Sequence, residues 1–344
     1  MRALFEKFLY RSGVHQAVGL RYAGRGVNFM MHSIVDDAEP YLAEPTRCTV
    51  AVLERLLEHL RASEIDIVTP DAAFERLDDP TAKRFATLTF DDGYRDNLTH
   101  ALPVLERYGA PATIFVTTGM IERADDAWWI GLVEWLKACD WITVEGFGKR
   151  PTATLPEKIA TRIDLTNWVQ GDVQRLEALQ RAMKADGISI SGLVDQQALS
   201  RDELRTLADH SLITIGGHTV SHPWLASLPE DEASREISDN RRYLRELTQQ
   251  DVDHFAYPFG SPVACAEREM GLVAEAGFSS AFTCRHGCMF PLHRDLRYAW
   301  PREGVHWYEN EASIVCKSVG GQRLFRNLKL KRPWRSPIAT MAAD

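Results

Sequence analysis

The sequence predicts an α/β fold in which short buried strands alternate with helices. Two apolar runs, Phe85–Phe90 and Ala112–Val116, have the length and composition of strands buried in a sheet. Apolar residues at helical spacing predict helices over residues 50–60 and 97–108. Because such strand–helix units repeat along the chain, a parallel sheet or barrel is favoured.

Further elements extend this alternation on both sides. Ser200-Arg-Asp-Glu203 is a capping-box pattern that predicts a helix to about residue 208. Ser227-Leu-Pro-Glu230 predicts another helix, which runs to about residue 247. A helix over residues 3–20 precedes the first strand. The remaining strands are predicted at 27–31, 65–68, 255–259 and 278–283.

Residues 122–198 interrupt the alternation and predict an inserted, mainly helical subdomain beside the barrel mouth. This segment is rich in tryptophan, with Trp128, Trp129, Trp135, Trp141 and Trp168. Aromatic faces stack on sugar rings, so the insertion is a candidate wall of a sugar site. Packing in the core of the insertion is the alternative for any one of these tryptophans.

Composition limits the class of protein. Hydrophobic residues make up 45% of the chain and charged residues 26%, as in ordinary soluble globular proteins, and the net charge of -8 argues against a nucleic-acid partner. Six scattered cysteines predict reduced thiols; Cys284-Arg-His-Gly-Cys288 could bind a metal but lacks a second ligand pair. No signal peptide and no membrane-spanning run is recognised, so a cytoplasmic protein is expected.

Both ends of the chain are basic. Residues 1–26 are expected to form a basic amphipathic N-terminal segment, and residues 317–344 a basic C-terminal tail. Between residues 317 and 337 there are seven basic and no acidic residues, interleaved with apolar side chains. One interpretation is a solvated tail. The other is peripheral contact with an anionic membrane surface.

Two motifs carry the chemistry. Asp91-Asp92-Gly93 follows the strand that ends at Phe90, and His218-Thr-Val-Ser-His222 follows a strand-like run that ends in two glycines. In barrels built from strand–helix units, reactive side chains lie in the loops at the carboxyl ends of the strands. Two imidazoles and a carboxylate delivered there form a three-ligand metal site with an open position. The adjacent second carboxylate stays free to act as a base.

Each motif alone has an ordinary alternative. Adjacent aspartates are common in turns and helix caps, and a His-x-x-x-His spacing often arises by chance. Here both motifs occur at equivalent places after two different strands. That coincidence favours the metal site and predicts a metal-dependent hydrolase.

These motifs resemble those of a known family. Thr89-Phe-Asp-Asp-Gly93, Gly217-His-Thr-Val-Ser-His222 and Phe255-Ala-Tyr-Pro-Phe-Gly260 are similar to the first three motifs of the polysaccharide deacetylases, carbohydrate esterase family four, the NodB-homology group. The similarity extends from Phe29-Met-Met-His32 to Trp300-Pro-Arg-Glu-Gly304. The resemblance implies a distorted (β/α)7 barrel over residues 27–316, interrupted by the helical insertion. It also implies metal-dependent N- or O-deacetylation of sugars.

The resemblance implies a role for each matching residue. Asp91 becomes the general base, and Asp92, His218 and His222 become the ligands of a divalent metal. Zinc is the metal expected from the family; cobalt, nickel and manganese are also compatible with these donors.

Other residues in or near these motifs are expected to complete the pocket. The backbone N–H of Phe259 would stabilise the oxyanion. Tyr257 and Tyr94 are expected to shape the pocket, and Pro223 and Trp224 to fix the histidine loop and wall the site.

The sequence departs from the family pattern in two places. Ala256 stands where an arginine usually orients the base, and Arg302 is expected to supply that guanidinium from a later strand. The late Leu-x-His motif that often provides the general acid is not evident, and His306 is the nearest late candidate. Met31-His32-Ser33-Ile34-Val35 resembles the Tyr-His-x-Val pattern of a poly-N-acetylglucosamine deacetylase subgroup, which implies His32 as the acid. The alternative is a histidine that packs or hydrogen-bonds at the barrel mouth.

The leading prediction is a cytoplasmic metal-dependent deacetylase of an N-acetylated sugar in surface polysaccharide or lipopolysaccharide precursor synthesis. The cytoplasmic location favours a nucleotide-linked or lipid-linked substrate. Two alternatives remain open: a hydrolase of formamides or other non-sugar amides on the same fold, and a non-catalytic carbohydrate-binding protein. Ala256 and the missing late histidine motivate the last alternative, and the intact Asp-Asp and His-x-x-x-His motifs argue against it.

Overall fold

A computed structural model describes residues 1–36, 42, 46–124, 127–170 and 172–330. The strands in this part of the chain are β1 (Gly26–Met31), β2 (Ser33–Val35), β3 (Arg47–Thr49), β4 (Asp66–Ile67), β5 (Phe85–Phe90), β6 (Ala112–Val116), β7 (Trp141–Val144), β8 (Gly148–Pro151), β9 (Ile213–Gly217), β10 (His254–Ala256), β11 (Ser280–Phe282) and β12 (Glu303–Gly304).

The α-helices of the described residues are α1 (Arg2–Ser12), α2 (Val14–Tyr22), α3 (Val50–Ala62), α4 (Pro70–Arg76), α5 (Leu102–Tyr108), α6 (Thr118–Ile121), α7 (Trp128–Ala138), α8 (Leu155–Val169), α9 (Val173–Ala185), α10 (Ile190–Gln197), α11 (Arg201–Ala208), α12 (Glu230–Thr248), α13 (Glu267–Glu275), α14 (Glu311–Ser318) and α15 (Gly321–Lys329). A π-helical turn, Asn97–Ala101, leads into α5. None of these helices is long and apolar enough to cross a membrane.

The main sheet is parallel and curled. Its strand order is β11-β10-β9-β6-β5-β1-β12, with β4 beside the start of β5. Residues 300–304 span the remaining gap, because Trp300 bonds to Ala281 on β11 and Glu303 pairs with Phe29 on β1. This architecture is the distorted (β/α)7 barrel, and it confirms the fold class predicted from the sequence.

The central strands are buried on both faces, which explains their continuous apolar character. Every residue of β5 and β6 is buried, and helices cover the outside of the sheet. Parallel strands covered on both faces have this composition. All the carboxyl ends therefore meet at one rim, where the loops carry the polar motifs.

One predicted helix start is wrong. Helix α12 begins at Glu230 after Pro229, and Ser227 does not cap it. The Ser227 hydroxyl instead donates to the Trp224 carbonyl, inside a short 3-10 turn over residues 225–227. The capping box at Ser200, by contrast, forms as predicted at the start of α11. The two serines differ because Ser200 has the extended backbone of an N-cap, whereas Ser227 belongs to a 3-10 turn.

The insertion has an apolar core of its own, in which helices α7 to α10 pack together. It also contains a hairpin, β7–β8, which the prediction of a mainly helical segment missed. The signal was present in alternating burial along Trp141-Ile-Thr-Val144. Gly146 and Gly148 follow with φ of 77° and 95°, which suits glycine in a tight turn.

The two ends of the described chain pack against each other. Helices α1 and α2 contact α14 and α15 around Leu9, Val18, Tyr22 and Cys316. Two basic residues of the predicted tail lie in the interior: Lys317 bonds to Glu309 and to the Gly304 carbonyl, and Arg323 is buried. Residues 331–344 of that tail lie outside the described residues.

Candidate metal centre and catalytic pocket

The polar residues singled out from the sequence meet at the carboxyl-terminal rim of the barrel. Asp91 and Asp92 follow β5, His218 follows β9, and His32 follows β1. They border a cavity of about 320 Å³. The described residues that line it are Met30, His32, Thr46, Asp91, Asp92, Trp128, Trp129, Leu132, Val133, Arg162, Thr166, His218, His222, Phe259, Cys284 and His306.

The backbone around the cavity is unusually strained. Four non-glycine residues here adopt the left-handed region, with φ of 78° at Asp92, 65° at Thr219, 58° at His222 and 60° at Phe259. Such conformations cost free energy and persist where surrounding structure imposes them, often at functional sites. In this protein they turn the loops after three strands toward one point.

Asp92, His218 and His222 form a cluster with their ligand atoms all within 4.8 Å of one another. The Asp92 Oδ1 atom lies 3.3 Å from His218 Nε2 and 3.4 Å from His222 Nε2. His218 donates its Nδ1 proton to the Ala256 carbonyl at 2.7 Å. That bond fixes the tautomer and leaves the lone pair of Nε2 directed at the carboxylate, as in metal-ligating histidines.

This arrangement suits a divalent cation better than it suits the side chains alone. Asp92 Oδ1 is buried and accepts no hydrogen bond from the described residues. Burial lowers the pKa of His222 to about 3, which keeps the ring neutral. A carboxylate oxygen facing two imidazole nitrogens is a zinc-type donor set.

Asp91 is held by a buried arginine. Arg302 Nη1 and Nη2 bond to the two carboxylate oxygens at 2.7 and 2.8 Å. Burial would raise the pKa of Asp91, but the guanidinium outweighs it and the pKa falls below its usual value. The structure therefore places Arg302 where the sequence analysis expected the missing arginine, and Asp91 is ionised at neutral pH.

His32 lies near the carboxylate of Asp91. Its Nε2 atom is 4.0 Å from Asp91 Oδ2, and the side chain is 17% exposed. His306 also lines the cavity, although the family resemblance gave it no matching motif. The structure thus brings both late and early histidine candidates to the pocket.

The segment that carries His32 is clamped by residues that the sequence analysis missed. Asn97, at the start of the π-helical turn, donates to the His32 carbonyl at 2.7 Å. Asp96 accepts from the Ser33 hydroxyl at 2.5 Å and from the Ile34 N–H at 2.9 Å. Burial raises the pKa of Asp96 to about 6 against these hydrogen bonds. Their position four and five residues after Asp92 was the available signal.

The histidine loop is also supported from behind. Asn240 on α12 donates to the Val116 carbonyl at 2.9 Å and accepts from the His218 N–H at 3.2 Å. A Cβ on Gly217 would lie 2.7 Å from Asn240 Oδ1, so glycine is required before the motif. This contact explains Gly217, and at Gly216 a Cβ would instead lie 2.4 Å from the Phe115 ring.

Glu236, one turn before Asn240 on the same helix, completes this support. Its carboxylate accepts from the Val220 and Ser221 backbone N–H groups, both at 2.8 Å, and from the Ser221 hydroxyl at 2.7 Å. Two residues spaced i, i+4 on one helix face thus hold the loop between the histidines. The spacing of Glu236 and Asn240 is visible in the sequence, but their contacts with the histidine loop are not.

An aromatic wall faces the metal cluster. The ring centroid of Trp129 lies 4.5 Å from that of His222, and the ring centroid of Phe259 lies 4.8 Å from that of His222. Phe259 stacks flat on Trp224 at 3.9 Å. Trp128 and Trp129 therefore belong to the cavity wall, whereas Trp135 is fully buried in the core of the insertion.

Both tyrosines expected to shape the pocket lie behind its walls. Tyr94 is buried and accepts a hydrogen bond from Trp129 Nε1 at 2.9 Å, so it acts through that tryptophan. Tyr257 is buried in the barrel core and donates to the Tyr298 carbonyl at 3.1 Å. Neither is among the described residues that line the cavity. Because side chains alternate along the third motif, Tyr257 packs with Phe255 in the cluster that includes the covering helices, while Ala256 packs in a different cluster.

The two cysteines considered as metal ligands, Cys284 and Cys288, lie in different environments. Cys284 lines the cavity, 3.8 Å from Arg302 Nη2, while Cys288 is buried near Ser318. Neither joins a cluster of three metal-binding side chains among the described residues. All six cysteines are free thiols.

Comparison with known proteins places this site in a family. A model of the polysaccharide deacetylase family matches residues 78–278, more than half of the 344-residue chain. The chain therefore belongs to the polysaccharide deacetylase family, as its motifs predicted. Members of this family are hydrolases acting on N-acetylated sugars.

Individual relatives are distant. The curated protein named "Putative polysaccharide deacetylase YxkH" from Bacillus subtilis (strain 168) is 22% identical over 250 residues, which cover 70% of this chain and 62% of that protein. The chain thus spans about three fifths of the length of this relative.

Solved structures support the fold. The Streptococcus pyogenes deacetylase PplD, in complex with acetate, superposes with a TM-score of 0.57 and 16% identity, covering 85% of this chain and 97% of that one. IcaB from Ammonifex degensii gives a TM-score of 0.55 with 18% identity, covering 86% of this chain and 97% of that one. At these identities the likeness establishes the barrel architecture.

Proposed function

We propose that this protein is a divalent-metal-dependent hydrolase that removes the acetyl group from an N-acetylated sugar. The observation that carries the proposal is the buried Asp92, His218 and His222 cluster beside an ionised, arginine-bound Asp91. A non-catalytic binding protein would have no use for a strained, desolvated carboxylate pair at the base of its pocket.

The residues divide the work of amide hydrolysis. A cation held by Asp92, His218 and His222 would supply Lewis acidity and lower the pKa of water. Asp91, fixed by Arg302, accepts the proton of the attacking water. As the amide carbonyl becomes tetrahedral, the backbone N–H of Phe259 donates to its oxygen.

His32 completes the reaction. The C–N bond of the acetamide breaks, and the leaving nitrogen takes a proton from His32 acting as general acid, whose Nε2 lies 4.0 Å from Asp91 Oδ2. The products are acetate and a free amine on the sugar. The proposed proton acceptor and proton donor thus border the same cavity, with 4.0 Å between Asp91 Oδ2 and His32 Nε2.

The substrate is an N-acetylated sugar of a surface polysaccharide or lipopolysaccharide precursor, in nucleotide-linked or lipid-linked form. The aromatic wall supports a sugar, because Trp129 presents its ring beside the metal cluster. Six free thiols support a reducing compartment, the cytoplasm. A lipid-linked substrate would also give the basic ends of the chain an anionic membrane as partner.

Product analysis on a substrate panel tests this proposal. Purified protein loaded with zinc, cobalt, nickel or manganese is incubated with free, nucleotide-linked and lipid-linked N-acetylhexosamines, with O-acetylated sugars and with formamides. Acetate together with a new amine supports the proposal and names the sugar. Formate or ring opening would instead establish an amidase of non-sugar compounds, and sugar binding without turnover would establish a binding protein.

A further inference from the structure

The terminal helices form a surface that the proposed chemistry does not use. Helix α1 packs against α15: Gln322 donates to Glu6, and the rings of Phe5 and Phe325 lie 5.1 Å apart. Leu328 follows Phe325 by about one turn on α15.

The outward side of this helix pair is apolar. Leu4 and Phe8 are spaced i, i+4 on α1 and are 73% and 61% exposed. Leu328 is 45% exposed, and Leu20 on the adjoining α2 is 93% exposed. Large apolar side chains left in water on adjacent helices mark an interaction surface when they are grouped rather than scattered.

Basic side chains flank these apolar residues. Lys7 and Arg11 lie on the same side of α1 as Leu4 and Phe8, and all four side chains are exposed. Lys329 is exposed next to Leu328. Residues 1–25 hold five basic residues and one acidic residue, Glu6, which is buried and bonded to Arg2. The surface is therefore positive in a chain whose net charge is -8.

We propose that the terminal surface, formed by Leu4, Phe8 and Leu328 with Lys7, Arg11 and Lys329, docks on an anionic phospholipid membrane. Apolar side chains enter the boundary between headgroups and acyl chains while the cations bind lipid phosphates. Each basic residue contributes on the order of fivefold to such binding. Two copies of this surface would repel each other, which favours an anionic lipid over self-association.

Vesicle flotation with the full-length protein tests this inference. The probes are phosphatidylcholine vesicles and vesicles of three parts phosphatidylcholine to one part phosphatidylglycerol, at low, physiological and high salt. We expect the protein to float only with the anionic vesicles and to be released as salt rises. Equal recovery with both vesicle types, or with neither, would overturn the inference.

Variants separate the contributions of the two kinds of side chain. Leu4→Ser/Phe8→Ser and Lys7→Glu/Arg11→Glu should each reduce the bound fraction at least tenfold. Val173→Ser and Arg181→Glu alter exposed residues on α9 and should bind like the parent. Light scattering without vesicles detects the rival occupant: a dimer abolished by Leu4→Ser/Phe8→Ser would assign the surface to a second copy.

The inference stands apart from the proposed enzyme activity. Flotation needs no catalysis, so a protein that binds vesicles yet releases no acetate would retain the docking surface and lose the proposed function. Conversely, the two double variants of the terminal surface and the two variants on α9 should hydrolyse a water-soluble substrate at the parental rate. A parental melting temperature shows that each variant is folded.

Discussion

Replacing Arg302 by Gln removes the buried guanidinium that binds both oxygens of Asp91 at 2.7 and 2.8 Å. Breaking one side of a buried ion pair costs about 3–5 kcal/mol, because the remaining charge stays desolvated. We therefore expect Arg302→Gln to lower the free energy of unfolding by about 3 kcal/mol at neutral pH. Protonation of Asp91 limits the loss to the lower end of the range.

The same substitution should move the pH dependence of the reaction. In the parent, burial acts to raise the pKa of Asp91. The positive charge of Arg302 more than offsets this effect, so the pKa of Asp91 is below its usual value. Without Arg302 the largest of the interactions that lower the pKa of Asp91 is lost, so the pKa rises. Asp91 works as a base in its ionised form, so the acid limb of kcat/KM should shift upward by about 2 pH units, the equivalent of about 3 kcal/mol.

Stability against pH has a defined sign. A carboxylate with a depressed folded pKa contributes stability above its unfolded pKa, and this contribution disappears as the pH falls through the folded value. The parent should therefore lose this stability only in strong acid. The Arg302→Gln variant should lack this stabilisation at every pH. Because the pKa of Asp91 is raised in the variant, its folded state should become less stable as pH rises.

A double-mutant cycle controls for contacts that Arg302 makes elsewhere. Its guanidinium also donates to Thr89 and to the Thr283 carbonyl, so some loss is independent of Asp91. Asp91→Asn/Arg302→Gln leaves no unpaired charge and should be more stable than Arg302→Gln alone. Urea denaturation at several pH values and rate profiles of the metal-loaded enzyme supply the readouts. A parental acid limb in Arg302→Gln, with less than about 1 kcal/mol lost, would refute the reasoning.

Three further substitutions probe other parts of the pocket. Asn97→Ala removes the bond to the His32 carbonyl, and kcat should fall roughly tenfold with little change in KM if His32 is displaced; an unchanged kcat would separate Asn97 from catalysis. Asp96→Asn removes a group whose pKa burial raises to about 6, so the parent loses stability as pH rises from 4 to 6 and the variant does not; urea denaturation should show the difference growing by about 2 kcal/mol over that window, and a pH-independent difference would contradict it. Trp129→Ala should raise KM for the sugar at least tenfold while metal affinity, followed by calorimetry, stays within about threefold; a kcat loss at unchanged KM would argue against stacking.

Much of the fold was predictable because the strands are short, apolar and separated by clear turn signals. Phe85–Phe90 and Ala112–Val116 were predicted to the residue, since both are buried on each face. The hairpin in the insertion was not recognised, because its period-2 alternation covers only four residues in a helix-rich segment. The start of α12 was misplaced by a serine that bonds locally instead.

The site was predictable where the type of side chain by itself indicates its chemical role. Asp92 and the two histidines have few roles to play at strand ends, so their pattern stood out. Asn97 and Asn240 did not, because an asparagine gains its function only from the backbone groups that folding brings to it. Tyr94 and Tyr257 sit near the motifs in sequence yet behind the wall in space, which depends on side-chain direction.

In the proposed reaction, Asp91 acts as general base in the hydrolysis of an acetamide, together with a cation held by Asp92, His218 and His222. The most direct measurement titrates zinc into metal-free protein and follows acetate release from an N-acetylated sugar, in parallel with metal binding by calorimetry. We expect acetate release to rise to saturation at one equivalent of metal in the parent. Asp91→Asn should bind the same equivalent and release no acetate. Acetate release that is independent of added metal, or that survives in Asp91→Asn, would contradict the account.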